Sequence, residues 1–280
     1  LHMSLFIASL NSGSNGNCYY IGNGSEAVLI DAGISCRETE KRMDRLNLSM
    51  NTVKAIFVSH EHSDHITGIP AISKKYQLPV YITEGTLKNI PLPVNTEHVH
   101  IIKAPDKVTI GALEVISFNK FHDATEPVSF VVSDQQTHVG VFTDIGHCCK
   151  ELIRHFNYCH AAFLESNYCE EMLENGTYPL HLKKRIRGNK GHLSNDEAFE
   201  LFSKYRGIQL SHLILSHLSQ NNNTMEKVSQ LFSRDSGNTE IIVASRYKET
   251  PVYEIKPTAA SKRIVIKKFP APASNQLSLF

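Results

Sequence analysis

The chain has 280 residues, 41% of them hydrophobic and 20% charged, and its 29 Lys and Arg nearly balance its 28 Asp and Glu. This composition predicts a globular chain with a sizeable core and excludes a histone-like or acidic polyelectrolyte. No apolar run approaches the ~20 residues of a membrane span and no signal-peptide pattern opens the chain, so we expect a cytoplasmic protein.

Short β-branched runs separated by turn residues fill the first half of the chain, and helical patterns become more frequent in the second half. The predicted strands are Ser4–Leu10, Cys18–Ile21, Ala27–Ile30, Ala55–Val58, Val80–Thr83, Leu113–Phe118, Val128–Val132, His138–Phe142, Ala161–Leu164, His212–Leu215 and Ile241–Ala244. The predicted helices are Cys36–Leu46, Ile66–Tyr76, Lys150–Phe156, Ser194–Tyr205 and Thr224–Phe232. This order favours two sheets with helices outside them.

The two ends of the chain differ from the rest. Residues 1–3, Leu-His-Met, are typical of a cloning remnant before a native start at Met3, and we expect residues 4–269 to form a single domain. From Pro270 the chain reads Ala-Pro-Ala-Ser-Asn, a composition typical of linkers. Residues 270–280 are therefore predicted to be a flexible tail.

The segment SHEHSDHITG at 59–68 carries the strongest chemical signal. Its ligand-type residues are His60, His62, Asp64 and His65, and they directly follow a predicted strand. In a turn that leaves a strand, side chains with this spacing can converge on two adjacent points. Imidazole and carboxylate suit zinc, and the carboxylates also admit manganese, whereas the absence of thiolates argues against a closed structural zinc site.

Three more ligand-type residues stand just after predicted strands. His122 lies in FHDATEP, Asp144 in VFTDIGH and His217 in LSHLSQNN. Loops at strand ends are where a rigid scaffold commonly carries chemistry. These residues are therefore candidates to complete a site for two divalent metal ions.

Together with His122, the motifs LIDAG, HEHSDH, FTDIG and LSHLS resemble the metallo-β-lactamase fold family. The resemblance implies an α/β fold, a four-layer αββα sandwich with the metals at one edge between two sheets. It assigns His60, His62 and His122 to one metal, Asp64, His65 and His217 to the other, and Asp144 to a bridging position. It also implies that Asp31 orients ligand histidines. The bridging aspartate departs from the antibiotic-hydrolysing branch, which has cysteine there.

Two cations about 3.5–4 Å apart can lower the pKa of a bridging water, which attacks a phosphodiester, and can stabilise the leaving oxygen. The same centre can open other esters, so further residues must select the substrate. His192 precedes a predicted helix that begins with a capping box formed by Ser194 and Glu197. The backbone amides at the N-terminus of such a helix could bind phosphate. His192, oriented by Glu165, could protonate a departing 3′ oxygen, and this pair resembles the histidine and glutamate of the RNase Z branch.

Positive charge is concentrated in two segments. Residues 181–190 contain no acidic residue and five basic ones: Lys183, Lys184, Arg185, Arg187 and Lys190. After Glu254 there is again no acidic residue, and five basic ones follow: Lys256, Lys262, Arg263, Lys267 and Lys268. A basic run can be a solvated face, but the first one leads directly to His192. We therefore predict that it binds nucleic-acid phosphates.

The loop NSGSNGN at 11–17 has a composition that fits either an anion-binding nest of backbone amides or a hairpin turn. With FHDATEP, GHLSN and LSHLSQNN, it resembles the bacterial YycJ/WalJ-like subfamily. This resemblance implies a two-metal DNA exonuclease that acts in the 5′-to-3′ direction in DNA repair or replication. The direction and the preference for DNA come from the resemblance alone.

Other functions stay open at this stage. An RNA-processing nuclease or a small-molecule phosphodiesterase can use the same fold, although the chain has no room for the inserted domain of RNase J-type nucleases. A thioester or lactone hydrolase would not need the basic run. A non-catalytic protein of this fold is disfavoured because every ligand position is filled.

The last five residues, QLSLF, resemble the QLxLF peptide that binds the bacterial DNA polymerase sliding clamp. In that resemblance Leu277, Leu279 and Phe280 enter an apolar pocket, and Gln276 forms hydrogen bonds at its rim. The residues alone also fit a strand or turn packed on the domain, or a frayed end. The sliding clamp is the predicted protein partner.

Overall fold

The computed structural model describes residues 4–90 and 96–257. The predicted tail and the basic residues from Lys262 onward lie outside the described residues, as do residues 1–3. Within the described ranges, no helix is long and apolar enough to cross a membrane.

The described residues form fourteen strands and nine α-helices. The strands are β1 Leu5–Asn11, β2 Cys18–Gly22, β3 Ala27–Ile30, β4 Val53–Phe57, β5 Val80–Thr83, β6 Val99–Ile102, β7 Asp106–Ile110, β8 Leu113–Asn119, β9 Val128–Ser133, β10 His138–Phe142, β11 Ala161–Glu165, β12 His212–Ser216, β13 Glu240–Val243 and β14 Tyr253–Ile255. The helices are α1 Cys36–Arg45, α2 Ser63–Ile66, α3 Ile69–Tyr76, α4 Glu84–Asn89, α5 Lys150–Asn157, α6 Glu170–Asn175, α7 Leu180–Arg187, α8 Asn195–Tyr205 and α9 Met225–Phe232.

The strands make two seven-stranded mixed sheets. The first has the order β14-β1-β2-β3-β4-β5-β6 and the second the order β13-β12-β11-β10-β9-β8-β7. Strands β3 to β6 pair in parallel, as do β10 to β13. Because parallel strands end at the same edge of a sheet, the loops that follow β3 and β4 are neighbours, and so are those that follow β10, β11 and β12.

Three apolar clusters separate four layers. The central cluster lies between the sheets and includes the fully buried Ile30 and Phe163. The outer face of the first sheet packs against α1 and α3 around Met43. The outer face of the second sheet packs against α5, α8 and α9 around Phe156 and Phe202. The order helix–sheet–sheet–helix confirms the predicted αββα sandwich.

All of the predicted strands are present, with ends that differ by at most two residues. The predicted helix Ile66–Tyr76 is instead interrupted, because the amide of Gly68 donates to Ala32 O and α3 starts one residue later. Sequence patterns missed β6, β7 and β14, which are short or carry exposed residues near sheet edges. They also missed α4, α6 and α7, which bury few apolar residues.

Candidate metal centre

The segment 60–65 comprises the end of the turn after β4 and the first residues of α2, at the edge where strands of both sheets end. Close packing holds this turn in place. The carbonyl oxygen of Asp64 accepts a hydrogen bond from the Asn17 amide at 2.7 Å. The same oxygen would lie only 1.6 Å from a Cβ atom at Gly33. Glycine in LIDAG therefore lets the ligand-bearing turn approach the backbone of its neighbour.

His60, His62 and His122 form a first set, whose ring nitrogens lie within 4.8 Å of one another. His60 Nε2 is 3.0 Å from His62 Nδ1. His122 reaches the set from the loop after β8, in the other sheet. Its Nδ1 donates to Gly191 O at 3.0 Å, because a carbonyl oxygen can only accept. Because Nδ1 carries the proton of the neutral ring, His122 Nε2 has a free lone pair, which faces the set.

Asp64, His65 and His217 form a second set with the same spacing. Asp144 lies between the two sets. Its Oδ2 is 3.2 Å from His65 Nε2, and its Oδ1 is 3.6 Å from His217 Nε2 and 3.7 Å from His122 Nε2. The structure thus brings together all seven residues that the sequence nominated as ligands, with Asp144 in contact with both sets.

The donor atoms of these sets fit divalent cations. His122 Nε2, Asp144 Oδ2 and His217 Nε2 are buried and have no hydrogen-bond partner in the described part of the chain. Buried polar atoms are rarely left without a partner unless an ion or a ligand satisfies them. Imidazole nitrogens combined with carboxylate oxygens are a suitable donor set for zinc or manganese.

Asp31, which follows β3, orients the ligands from beneath the centre. It is fully buried, and its Oδ2 accepts from His65 Nδ1 at 2.7 Å and from Ser59 Oγ at 2.8 Å. Ser59 Oγ is in turn 2.9 Å from His60 Nδ1. One carboxylate therefore positions a histidine of each set. A carboxylate behind a ligand histidine fixes its tautomer and its ring orientation.

Three residues at this edge have left-handed backbone conformations. Asp31, Asp144 and His217 have φ values of 60°, 56° and 57°, respectively. Non-glycine residues with positive φ are uncommon and cluster at functional sites, where the surrounding structure holds them. Asp31 and His217 come directly after their strands and Asp144 comes two residues after β10, so the left-handed turn aims each side chain back toward the gap between the sheets.

His192 and Glu165 form a hydrogen-bonded pair beside the centre. His192 Nδ1 lies 2.8 Å from Glu165 Oε1, and the same oxygen accepts from His217 Nδ1 at 2.9 Å. The other oxygen, Oε2, accepts from the amides of Ile145 and Leu193. Burial would raise the pKa of Glu165, but His192 and the hydrogen bonds to both histidines lower it to about 2. Glu165 is therefore a carboxylate at neutral pH.

Burial and charge move the pKa values of the histidines in opposite directions. Burial lowers the pKa of His60 well below its usual value and that of His122 to about 4. Burial would also lower the pKa of His217, but Asp144, Asp64 and Glu165 raise it to about 10. The carboxylates are therefore concentrated around the second set.

Four polar residues of this edge were missed by the sequence interpretation. Asn17 Nδ2 donates to Asp64 Oδ2 at 3.0 Å, and Asn167 Nδ2 donates to His217 O at 2.8 Å. Lys120 is buried and donates to Thr143 O at 2.8 Å, and burial lowers its pKa. The fourth is Ser59, described above. An available signal was the position of Ser59 and Lys120, each within two residues of a predicted ligand.

The structure disfavours phosphate binding by backbone amides at the start of α8, and in the loop at 11–17 it disfavours the anion-binding nest, one of the two alternatives that the sequence left open. At the start of α8, Ser194 and Glu197 form the predicted capping box, which uses the amides of both residues. Asp196 and Glu197 also place acidic groups in that first turn, which disfavours an anion. In the loop at 11–17, the amides of Ser12, Gly13, Gly16 and Asn17 all donate to protein oxygens. Those four amides are not available for an anion-binding nest.

The basic run at 181–190 forms most of α7 and leads into Gly191 and His192, as predicted. Two of its residues are already paired with acidic neighbours. Arg187 contacts Glu170 and Glu174 at 3.0 and 2.7 Å, and Arg185 pairs with Asp123, the neighbour of His122. Lys183 donates to a backbone carbonyl of α6. Lys184 and Lys190 are exposed.

Comparisons with known proteins agree with this geometry. A family model described as "Beta-lactamase superfamily domain" matches residues 26–218. Exodeoxyribonuclease YycJ of Bacillus anthracis is 36% identical over 231 residues, which are 80% of this chain and 86% of the relative. Exodeoxyribonuclease WalJ of Streptococcus pneumoniae is 28% identical over 257 residues, which are 90% of this chain and 94% of the relative.

Among solved structures, the metallo-β-lactamase fold protein YhfI from Bacillus subtilis superposes with a TM-score of 0.70. The alignment covers 90% of this chain and 99% of YhfI at 15% sequence identity. At this level of identity the similarity supports the fold alone.

Proposed function

Because the chain belongs to the metallo-β-lactamase superfamily of hydrolases, as a relative of the YycJ/WalJ exodeoxyribonucleases, we propose that it is a two-metal DNA exonuclease that acts in the 5′-to-3′ direction. In less specific terms, its activity is that of a metal-dependent nuclease. The observation that carries the proposal is the His192–Glu165 pair, hydrogen-bonded at 2.8 Å at the edge of two ligand sets that share Asp144.

The residues that would hold the ions are those of the two sets. His60, His62 and His122 would bind one ion, and Asp64, His65 and His217 the other, with Asp144 between them. Two divalent ions supply a water of lowered pKa and stabilise charge on the attacking and leaving oxygens of a phosphodiester. Asp31 and Ser59 keep the histidines in the orientation that this binding requires.

His192 is placed to act on the leaving group. Glu165 accepts a hydrogen bond from Nδ1, so Nε2 is the nitrogen that can hold a proton for a departing 3′ oxygen. Because Glu165 is ionised, it stabilises the positive charge of His192 while the ring holds both protons. His192 is 20% exposed at its side chain, whereas Glu165 is fully buried, so His192 is the member of the pair that a substrate can reach.

A nucleic-acid substrate is supported by the basic run at 181–190, in which the exposed Lys184, on α7, and the exposed Lys190, after it, both precede His192 in the chain. Lysines on such a surface would neutralise backbone phosphates. A thioester or lactone hydrolase has no comparable use for this charge. The names of the relatives favour DNA, and the direction of digestion rests on the subfamily resemblance.

Product ladders test the proposal. Protein loaded with zinc or with manganese should shorten 5′-labelled DNA to labelled mononucleotides at once and shorten 3′-labelled DNA progressively. Matched RNA substrates and a thioester substrate complete the set. Faster hydrolysis of RNA, or of the thioester, would contradict the assignment of DNA as substrate, and early release of 3′-labelled mononucleotides would contradict the direction.

The C-terminal residues Gln276, Leu277, Leu279 and Phe280 complete the proposal with a DNA polymerase sliding clamp as partner. Recruitment to the clamp would deliver the exonuclease to DNA under replication or repair. The full chain and a labelled peptide of residues 271–280 should both bind purified clamp with roughly micromolar affinity, as expected for two or three buried apolar side chains less ordering costs. Binding that Leu279→Ala and Phe280→Ala leave unchanged would contradict this partner.

A further inference from the structure

A pocket of about 140 Å³ opens next to the second ligand set. One wall is formed by Leu218 and Ser219, which follow the ligand His217, and Ser12 adds its hydroxyl, which accepts a hydrogen bond from the His217 amide at 2.8 Å. The rest of the lining comes from Gln220, from residues 223–225 at the start of α9 and from residues 244–247. None of the residues that line it carries a carboxylate. The pocket is thus neutral to positive and borders the loop that follows the ligand His217.

Arg246 supplies the positive charge of this pocket. Its guanidinium donates to Gln220 Oε1 at 2.7 Å, to Ser14 Oγ at 3.2 Å and to Leu218 O at 3.3 Å. These acceptors are neutral, and the salt bridges of the described residues include none with Arg246. A partly buried guanidinium that has neutral partners keeps its charge available for an anion such as phosphate.

The loop at 11–17 is shaped to receive this arginine. Gly13 has φ +142°, and a Cβ atom there would lie 3.0 Å from Arg246 Nη2. A side chain at position 13 would be strained and would push the guanidinium away. The glycine-rich loop therefore supports Arg246 rather than binding an anion through its own amides.

The outer rim of the pocket is apolar and aromatic. Tyr247 is 74% exposed and Met225 is 45% exposed, and both line the pocket. The backbone under Tyr247 is fixed, since Arg42 donates to Tyr247 O at 3.3 Å and Arg45 pairs with Glu249 at 2.7 Å. An exposed ring on a fixed backbone is a preorganised surface for stacking.

We propose that this pocket, named here the Arg246–Tyr247 pocket, binds an unpaired nucleotide of the DNA strand beside the scissile phosphate. Arg246 binds the phosphate of that nucleotide, and its base stacks on Tyr247, with Met225 at the rim. A cationic group combined with an aromatic face is the usual means of binding a single strand without reading its sequence. The inference rests on the proposed exonuclease activity, and it identifies the residues that bind the DNA strand next to the metal centre.

Binding without catalysis tests the pocket first. Fluorescence anisotropy of metal-free protein with a labelled single-stranded oligonucleotide should show about tenfold weaker binding for Arg246→Ala. The log–log salt slope should fall by about 0.7, the value for one lost contact with a single strand. The matched control is Arg37→Ala, which removes an exposed arginine from α1 and should leave affinity and slope unchanged.

Tyr247→Ala should weaken binding about tenfold, whereas Tyr247→Phe should retain the affinity of the parent because the ring remains. With an oligonucleotide of abasic residues, the parent and Tyr247→Ala should bind equally. The control Tyr205→Ala changes another exposed tyrosine, at the end of α8. Equal affinities of Arg246→Ala, Tyr247→Ala and their controls for normal DNA would overturn the pocket.

Kinetics of the metal-loaded protein separate this inference from the proposed function. Arg246→Ala and Tyr247→Ala should raise KM for single-stranded DNA and leave kcat/KM for bis(p-nitrophenyl) phosphate, which has no second phosphate for Arg246 to bind, within twofold. Equal losses on both substrates would show that the variants disturb the centre itself and would overturn the pocket. A parent protein that fails to cleave DNA contradicts the exonuclease, while the anisotropy comparison still decides whether the pocket binds the strand.

Discussion

The second sheet has buried histidines near both of its ends, and the two groups differ in what surrounds them. At the carboxyl ends of the strands, His217 is in contact with Asp64, Asp144 and Glu165, and its pKa is raised to about 10. At the opposite end, burial lowers the pKa of His160 to about 4. Burial alone therefore makes a histidine neutral, and the added carboxylates make it part of a charged centre.

The same contrast appears in the hydrogen bonds. At the opposite end, His160 Nδ1 accepts the amide of His138 at 3.2 Å, and on the outer helix α5 His155 stacks on Phe118 with ring centroids 4.3 Å apart. These rings serve packing and backbone pairing. His138 Nδ1 at the opposite end, and a nitrogen of His122 and of His217 at the metal edge, are all buried without a hydrogen-bond partner among the described residues, but only His122 and His217 lie beside a carboxylate, that of Asp144, at 3.7 and 3.6 Å. A donor atom without a partner, beside a carboxylate, distinguishes a candidate ligand from a structural histidine.

The largest expected effect is loss of the carboxylate that joins the two sets. Asp144→Ala should abolish hydrolysis, because both sets lose a shared ligand, while the apolar core stays intact. Mass spectrometry should show that the variant loses metal, and circular dichroism should show that it retains the fold. Asp44→Ala, an exposed aspartate on α1, is the matched control. Full activity of metal-depleted Asp144→Ala would rule out the two-metal mechanism.

The next-largest loss of activity is expected for His192, which lies beside the two ligand sets. His192→Ala should lower kcat on DNA by about 10²- to 10⁴-fold with both metals retained, because it removes a general acid rather than a ligand. The deficit should shrink on a nitrophenyl phosphodiester, whose leaving group needs little protonation. If the loss is the same on both substrates, His192 serves binding or structure instead.

Much of this metal edge could be predicted from the sequence, because HxHxDH and the strand-end residues have local spacing that determines where they emerge. The capping box of Ser194 and Glu197 was predicted as well, but its consequence was not. Its side chains use the amides that a phosphate would need. Arg187 shows the same limit, since its acidic partners on α6 become visible only when two helices pack together.

Protonation of His160, at the end of the second sheet opposite the metal edge, should make the free energy of unfolding depend on pH. Folding lowers the pKa of His160, so the unfolded chain binds this proton more readily than the folded chain. The stability that comes from the neutral ring is therefore fully present above about pH 6.5 and is lost as the pH falls toward 4. His160→Gln keeps an acceptor for the His138 amide and removes the titration. Unfolding of metal-free protein by denaturant, followed from pH 7 to 4, should therefore be less pH-dependent for this variant.

The control for that measurement is His181→Gln, which changes an exposed histidine on α7 and should keep the pH dependence of the parent. Activity of His160→Gln on DNA at pH 7.5 should also match the parent, because the residue lies away from the ligand sets. A pH dependence that stays unchanged in His160→Gln would mean that other groups account for acid unfolding.

The smallest expected effect separates free from paired charge on the basic helix. Lys184→Ala with Lys190→Ala should weaken binding of single-stranded DNA modestly and lower the log–log salt slope by about 1.4, the value for two lost phosphate contacts. Arg187→Ala should change the slope less, because Glu170 and Glu174 already neutralise that guanidinium. Lys41→Ala with Lys54→Ala, exposed lysines of the first sheet and its outer helix, is the matched control. Equal slopes for the Lys184/Lys190 variant and this control would identify the basic run as a solvated face, and the positive charge that guides DNA to the metal edge would then have to come from Arg246 and residues beyond α7.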